Sequence, residues 1–134
     1  RISRAGVQTG QLVNTSGSET GSFDIYTKAA NAAMDMKLRI DTLGKPIFLT
    51  TVTAGGTTGN QTINKASGTV NIAAAGTTVT VTNSLCTTSS IVFAVIRTND
   101  TTASLINVVP GAGSFVINIV ACTAETSIGF LVIN

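Results

Sequence analysis

The chain has 134 residues, enough for one domain or one small domain with an extension. Charged residues make up only 10% of it, well under the usual quarter, and a net charge of +2 argues against nucleic acid or an anionic membrane as partner. There is no run of 18 apolar residues, so no membrane span is expected, and Arg1 and Arg4 are followed by Gly, Gln, Asn and Ser rather than by the apolar core of a signal peptide.

Thr occurs 23 times and aromatics are few, five Phe and one Tyr with no Trp. Together with abundant Val and Ile, this composition favours pleated surface and an all-β fold. In chain order, "SFDIYTK" (22–28) alternates, with Phe23, Ile25 and Thr27 on one side. "MKLRID" (36–41) sets Met36, Leu38 and Ile40 against Lys37, Arg39 and Asp41. A rival helix over 28–39 rests on its Ala, Met, Lys and Leu content. Alternation favours a strand for 36–41 and leaves 29–35 open. "DTLGKP" (41–46) is a turn in which Gly44 is free to take positive φ, and Pro46 begins the next strand, "PIFLT". "TVTAGGTTGNQ" (51–61) reads as a loop or linker.

Beyond it, strands are expected near 69–73, 77–82, 90–97, 104–109, 113–121 and 127–134, with a short one at 61–64. Such regular spacing suggests an antiparallel sandwich or barrel. The reading is thus a β-stem or neck with hairpins over 1–58 and a β-sandwich knob over 59–134. Seven of the Lys and Arg residues lie in 1–65, whereas 66–134 holds only Arg97, Asp100 and Glu125. Val70 and Ile72 are expected inward with Asn71 outward. Val79 and Val81 are expected inward, with Thr78, Thr80 and Thr82 outward.

The later strands lack a polar face, "GSFVINIV" (113–120) among them. "SIVFAVIR" places Ile91, Phe93 and Val95 on one side and Val92, Ala94 and Ile96 on the other. "SIGFLVIN" places Ile128, Phe130 and Val132 opposite Leu131 and Ile133. A strand in a two-sheet fold has one face in the core, so a second apolar face needs a cover. This region offers no helix, and it lacks the Tyr and Trp girdle of a membrane barrel. Other copies of the chain remain as the cover. Each buried Val, Ile, Leu or Phe is worth roughly 1.5–3 kcal/mol, which predicts a large, core-like interface between subunits.

"LRIDTLGKPIF" (38–48) resembles the repeated segment near the C-termini of bacteriophage tail fibres and tailspikes, where an "RID" strand, a Gly turn and a second strand follow one another. "GTVNIAAAGTTVTVTNSLCTTSSIVFAVIRTNDTTA" (68–103) and "AGSFVINIVACTAETSIGFLVIN" (112–134) resemble the knob that ends many phage tail fibres, tailspikes and tail needles. The resemblance covers nearly the whole chain. It implies a homotrimeric β-sandwich knob of the jelly-roll or tumour-necrosis-factor-like type on a β-stem, in a virion protein made in the host cytoplasm. The implied partners are a second and third copy, upstream fibre or baseplate segments, and a bacterial surface polysaccharide or outer-membrane receptor met during host attachment. The alternative is a purely structural trimerisation cap on a tailspike whose enzyme lies upstream. One departure matters: the "RID" hairpin here leads into a knob rather than a self-cleaving chaperone domain, so autocleavage is not carried over. Free thiols at Cys86 and Cys122, rather than a disulfide, suit a reducing compartment.

No catalytic residue, metal site or cofactor is expected, and the chain reads as a non-enzyme. It has no His, and its Ser and Thr have no activating partner. Strand parity brings the loops 74–76, 98–103 and 122–126 to one end. Arg97, Asn99, Asp100, Thr101 and Glu125 are therefore the candidate contacts for a receptor or ligand. The plainer reading of that end is an interfacial salt bridge, between copies, of Arg97 with Asp100 or Glu125. If 61–64 reverses the chain direction, receptor contacts fall instead on 83–89 and 110–112.

Overall fold

A computed structural model describes residues 22–27 and 35–134. Every regular element among them is a β-strand, so the all-β expectation holds. The chain divides into two compact units, residues 1–49 and 50–134. The boundary expected at 58 falls inside the second unit.

In the first unit, β1 (Phe23–Thr27), β2 (Asp35–Ile40) and β3 (Pro46–Phe48) form an antiparallel sheet in the order β1-β2-β3. Alternation prevailed over helix propensity in β2. Of the stretch left open, Asp35 begins this strand and the rest lies outside the described residues. The β2–β3 turn forms as its residues demand. The Asp41 Oδ1 accepts from the backbone N–H groups of Leu43 (2.8 Å) and Lys45 (2.9 Å), and Gly44 has φ +77°. Asp24 stands opposite Arg39 in the β1–β2 register. The guanidinium donates two bonds to its carboxylate, from Nε at 2.8 Å and from Nη2 at 2.7 Å. These bonds hold the Asp24 carboxyl below its ordinary value and raise the Arg39 pKa. Asp24 is consequently buried while its neighbours Phe23 and Ile25 are 40% and 37% exposed.

The second unit contains β4 (Thr50–Thr51), β5 (Gln61–Thr62), β6 (Ser67–Ile72), β7 (Thr78–Thr82), β8 (Ile91–Ile96), β9 (Leu105–Gly111), β10 (Ser114–Ile119) and β11 (Thr126–Ile133). They form two four-stranded sheets. Sheet I has the order β4-β6-β11-β8 and sheet II the order β5-β7-β10-β9. The expectation of wholly antiparallel sheets needs correcting. β4 runs parallel to β6 and β5 parallel to β7, each over two residues, while the remaining pairs are antiparallel. These edge pairs form because the chain changes sheets between β4 and β5 and again between β5 and β6, so each short edge strand lies beside the next strand of its own sheet.

One core lies between the sheets. Val70, Ile72, Ile128, Phe130 and Val132 come from sheet I, and Val79, Val81, Phe115, Ile117 and Ile119 from sheet II. The Phe115 and Phe130 rings meet edge to face at 4.9 Å, an arrangement worth ~0.5–1.5 kcal/mol beyond the area it buries. Gly68 makes room for this pair, because a Cβ there would stand 2.8 Å from the tip of the Phe130 ring. Both cysteines are free and buried, Cys86 in the loop after β7 and Cys122 in the loop after β10.

Of the two readings of 51–61, loop or linker, the loop holds, and it is strapped onto β6. The Thr53 backbone N–H donates to the Thr69 hydroxyl at 2.8 Å, and the Thr53 hydroxyl donates to the Thr69 carbonyl. The Asn71 Nδ2 donates to the Ala54 carbonyl at 2.9 Å, and the Gly59 N–H donates to the Asn71 carbonyl at 2.9 Å. Asn71, expected outward into solvent, does leave the core face, but the strap buries it to 2% exposure.

Candidate functional site

Strand directions bring the segments 52–60, 73–77, 97–104 and 120–125 to one end of the second unit. The segments 63–66, 83–90 and 112–113 lie at the other. Thr50 pairs with Ser67 at the start of β6, so the chain enters this unit at the second end. β4 runs away from that end and β5 returns, which puts the charged loops opposite the point of entry.

All of the candidate residues gather at that charged end, as strand parity predicts. The Asp100 Oδ1 accepts from the Thr102 hydroxyl at 2.6 Å and from the Thr102 backbone N–H at 2.8 Å. The Asp100 Oδ2 accepts, more weakly, from the Ala124 N–H at 3.4 Å and the Thr123 hydroxyl at 3.5 Å. Hydrogen bonds from the Thr102 hydroxyl first, and then from its N–H, hold the Asp100 carboxyl below its ordinary value. Both oxygens of Glu125 sit 3.0 Å from the Gly56 N–H, fixing the tip of the strap. Asn99 and Thr101 are exposed beside Asp100.

Within one copy Arg97 pairs with neither carboxylate, and the salt bridge expected of it is one across an interface between copies. Asp100 and Glu125 are both engaged by neighbouring loops, and Arg97 runs elsewhere. Its backbone N–H donates to the Ser127 carbonyl at 2.8 Å, and its stem lies along sheet I, where a Cβ on Gly129 would stand 3.1 Å from the Arg97 Cδ. The absent side chain at Gly129 is what gives the arginine this track. The alternative contact loop at the opposite end is organised by Asn83, which is fully buried. Its Nδ2 donates to the Lys65 carbonyl at 2.8 Å and its Oδ1 accepts from the Leu85 N–H at 2.9 Å. Ser84, Thr87, Thr88 and Ser89 of that loop are exposed.

A concave feature lies on the outer face of sheet I. A groove of about 390 Å³ is lined by Val52, Phe93, Val95 and Leu131, by the hydroxyl residues Thr50, Ser67 and Thr69, and by Arg97. Its floor is open because Gly129 sits between Thr69 and Val95 in the register. Beside it Ile91, Phe93 and Val95 are 60%, 58% and 61% exposed. The two-sided apolar pattern of β8 anticipated these side chains. The groove itself depends on Val52, in the stretch expected as a loop or linker, and on a single glycine in β11.

Comparison with protein-family models, with curated proteins and with solved structures finds no match for this chain. Among the described residues no cluster of His, Cys, Asp or Glu could hold a metal ion.

Proposed function

We propose that this chain is a stem-and-knob segment of a bacteriophage tail fibre or tailspike. In this reading the second unit is a β-sandwich knob that assembles as a homotrimer and meets the bacterial surface, through polysaccharide or an outer-membrane receptor, during host attachment. The observation that carries the reading is the exposure of Ile91, Phe93 and Val95 on the outer face of a sheet whose inner face already fills the core. A contiguous apolar face of this kind on a chain with so few charges marks a surface for association. A virion knob has other copies of itself always at hand. The resemblance of 38–48, 68–103 and 112–134 to phage fibre ends supplies the biological setting.

Light scattering on the purified chain at micromolar concentration tests this. The expected mass is that of three copies, and a folded single copy would overturn it.

A second reading, a structural trimerisation cap, is favoured by one observation. Asp100 and Glu125 are held by neighbouring loops rather than free for a receptor. In that case the assembled trimer binds no host polysaccharide in a binding screen, and the trimeric mass is unchanged.

A further inference from the structure

A second, smaller apolar patch lies on the edge strand of sheet II. Val109 pairs with Val116 across β9 and β10, between the core-facing residues Phe115 and Ile117, so Val109 and Val116 share the outer face of sheet II. Val109 is 50% exposed. Ile106, at the irregularity in the β9–β10 register, is 61% exposed. The outer faces of two sheets that enclose one core point away from each other, so no single flat contact covers both patches.

We propose that copies of this chain join heterologously, with the β9 margin of one copy, Ile106 and Val109, seated in the sheet I groove of the next. The inference rests on the self-association proposed above and names which surface meets which. Coverage favours it. Val52, Ile91, Phe93, Val95 and Ile133 together present on the order of 300–500 Å² of apolar surface, close to the apolar share of the ~800 Å² that each partner gives to a stable interface. A twofold contact through the groove face alone would cover that face but leave Ile106 and Val109 in water. A head-to-tail ring uses both surfaces of every copy.

Polar chemistry is compatible as well. β9 is an edge strand and offers unpaired backbone carbonyls. Arg97 lines the groove, with donors that no Asp or Glu among the described residues takes. No carboxylate lines the groove, so the charge that an uncharged margin meets there is that of Arg97, whose guanidinium can donate to those carbonyls.

Sedimentation velocity on two full-length variants tests the pairing. Val95→Glu damages only the groove, and the double variant Ile106→Asp, Val109→Asp damages only the margin. Each alone is expected to sediment as a single chain, with self-association weakened on the order of 30-fold or more. Mixed in equal amounts, they form a two-chain species, because the intact margin of the first fits the intact groove of the second. If the margin variant keeps the wild-type mass, the heterologous pairing is wrong while self-association stands. If the wild-type chain is itself a single copy, both fall. Far-UV circular dichroism checks folding, and should the Asp pair unfold, Ile106→Thr with Val109→Thr keeps the β-branched shape and is read by the same criteria.

Discussion

Across β8 and β11 the outward positions are Ile91, Phe93, Val95, Ser127, Gly129, Leu131 and Ile133, all but Ser127 and Gly129 large and apolar. Across β7 and β10 they are Thr78, Thr80, Thr82, Ser114, Val116 and Asn118. Both sets sit on the outside of a four-stranded sheet, and both sheets send their other face into the same core. Over β7 and β10 sheet II follows the pattern of a sheet that meets water, down to the Asn118 Nδ2 donating to the Asn107 Oδ1 at 2.7 Å across its outer surface. Over β8 and β11 sheet I follows the pattern of a sheet buried on both sides, whereas the outward residues of its β6 are Ser67, Thr69 and Asn71. Folding one copy requires only one apolar face per sheet, so the second apolar face of sheet I answers to something other than the fold.

The sharpest test of this difference compares two phenylalanines. Phe115 is fully buried between the sheets, and Phe93 is 58% exposed on the outside of sheet I. Phe115→Ala removes a core ring and its contact with Phe130, at a cost of ~3–5 kcal/mol. Chemical denaturation should show that loss at every protein concentration. Phe93→Ser should leave the dilute single copy about as stable as before and remove the rise of Tm with protein concentration that an associating chain shows. If Phe93→Ser instead unfolds the dilute protein, the outer face belongs to the fold and the contrast between the sheets disappears.

The apolar outer side of β8 and β11 was legible in the sequence because strand periodicity sorts side chains onto faces without any knowledge of partners. Strands β6 to β11 lie close to their expected positions for the same reason. The other half of the contrast was not legible, since 113–120 is expected to lack a polar face, yet β10 turns Ser114 and Asn118 outward beside Val116. The gathering of Arg97, Asp100 and Glu125 at one end needed only the count of chain reversals. The strap was not legible. Thr53, Ala54, Gly56 and Gly59 are tied to residues 12 to 69 positions away through backbone groups, and a Gly- and Thr-rich stretch bonded in this way has no period. The parallel pairings of β4 and β5 span two residues each, too few to leave a pattern. The direction of Arg97 was hidden because it depends on a missing side chain at Gly129, on another strand.

A smaller effect is expected at Gly68, where the two faces of sheet I come closest to interfering with each other. Its inner side faces the Phe130 ring, and the backbone around it lines the groove. A methyl group there would stand 2.8 Å from the Phe130 Cζ and 3.0 Å from the Thr51 carbonyl oxygen. The ring tip can swing aside, but the backbone of β4 has less freedom. Gly68→Ala should therefore cost about 1–3 kcal/mol, read as a lower denaturation midpoint. An unchanged midpoint would mean that β4 is loosely held and that the groove wall it forms is adaptable.

The smallest effect belongs to Asp100, and it concerns the charged end rather than either face. Its carboxyl is held below its ordinary value by bonds from Thr102. A group depressed in the folded state contributes stability above its unfolded pKa, about 3.9 for Asp. That contribution is lost as pH falls through the lower folded value. Asp100→Asn should thus melt below the wild type at pH 6, and the gap should close as the pH is taken down past 4 toward 2. Thr102→Ala should reproduce part of the same profile, because it removes the hydroxyl that is the largest cause of the shift. Neither variant touches Ile91, Phe93 or Val95, so the mass in solution at pH 7 should not change. A change of mass with either one would place the charged end inside the contact between copies and would shift the interface away from the middle of sheet I.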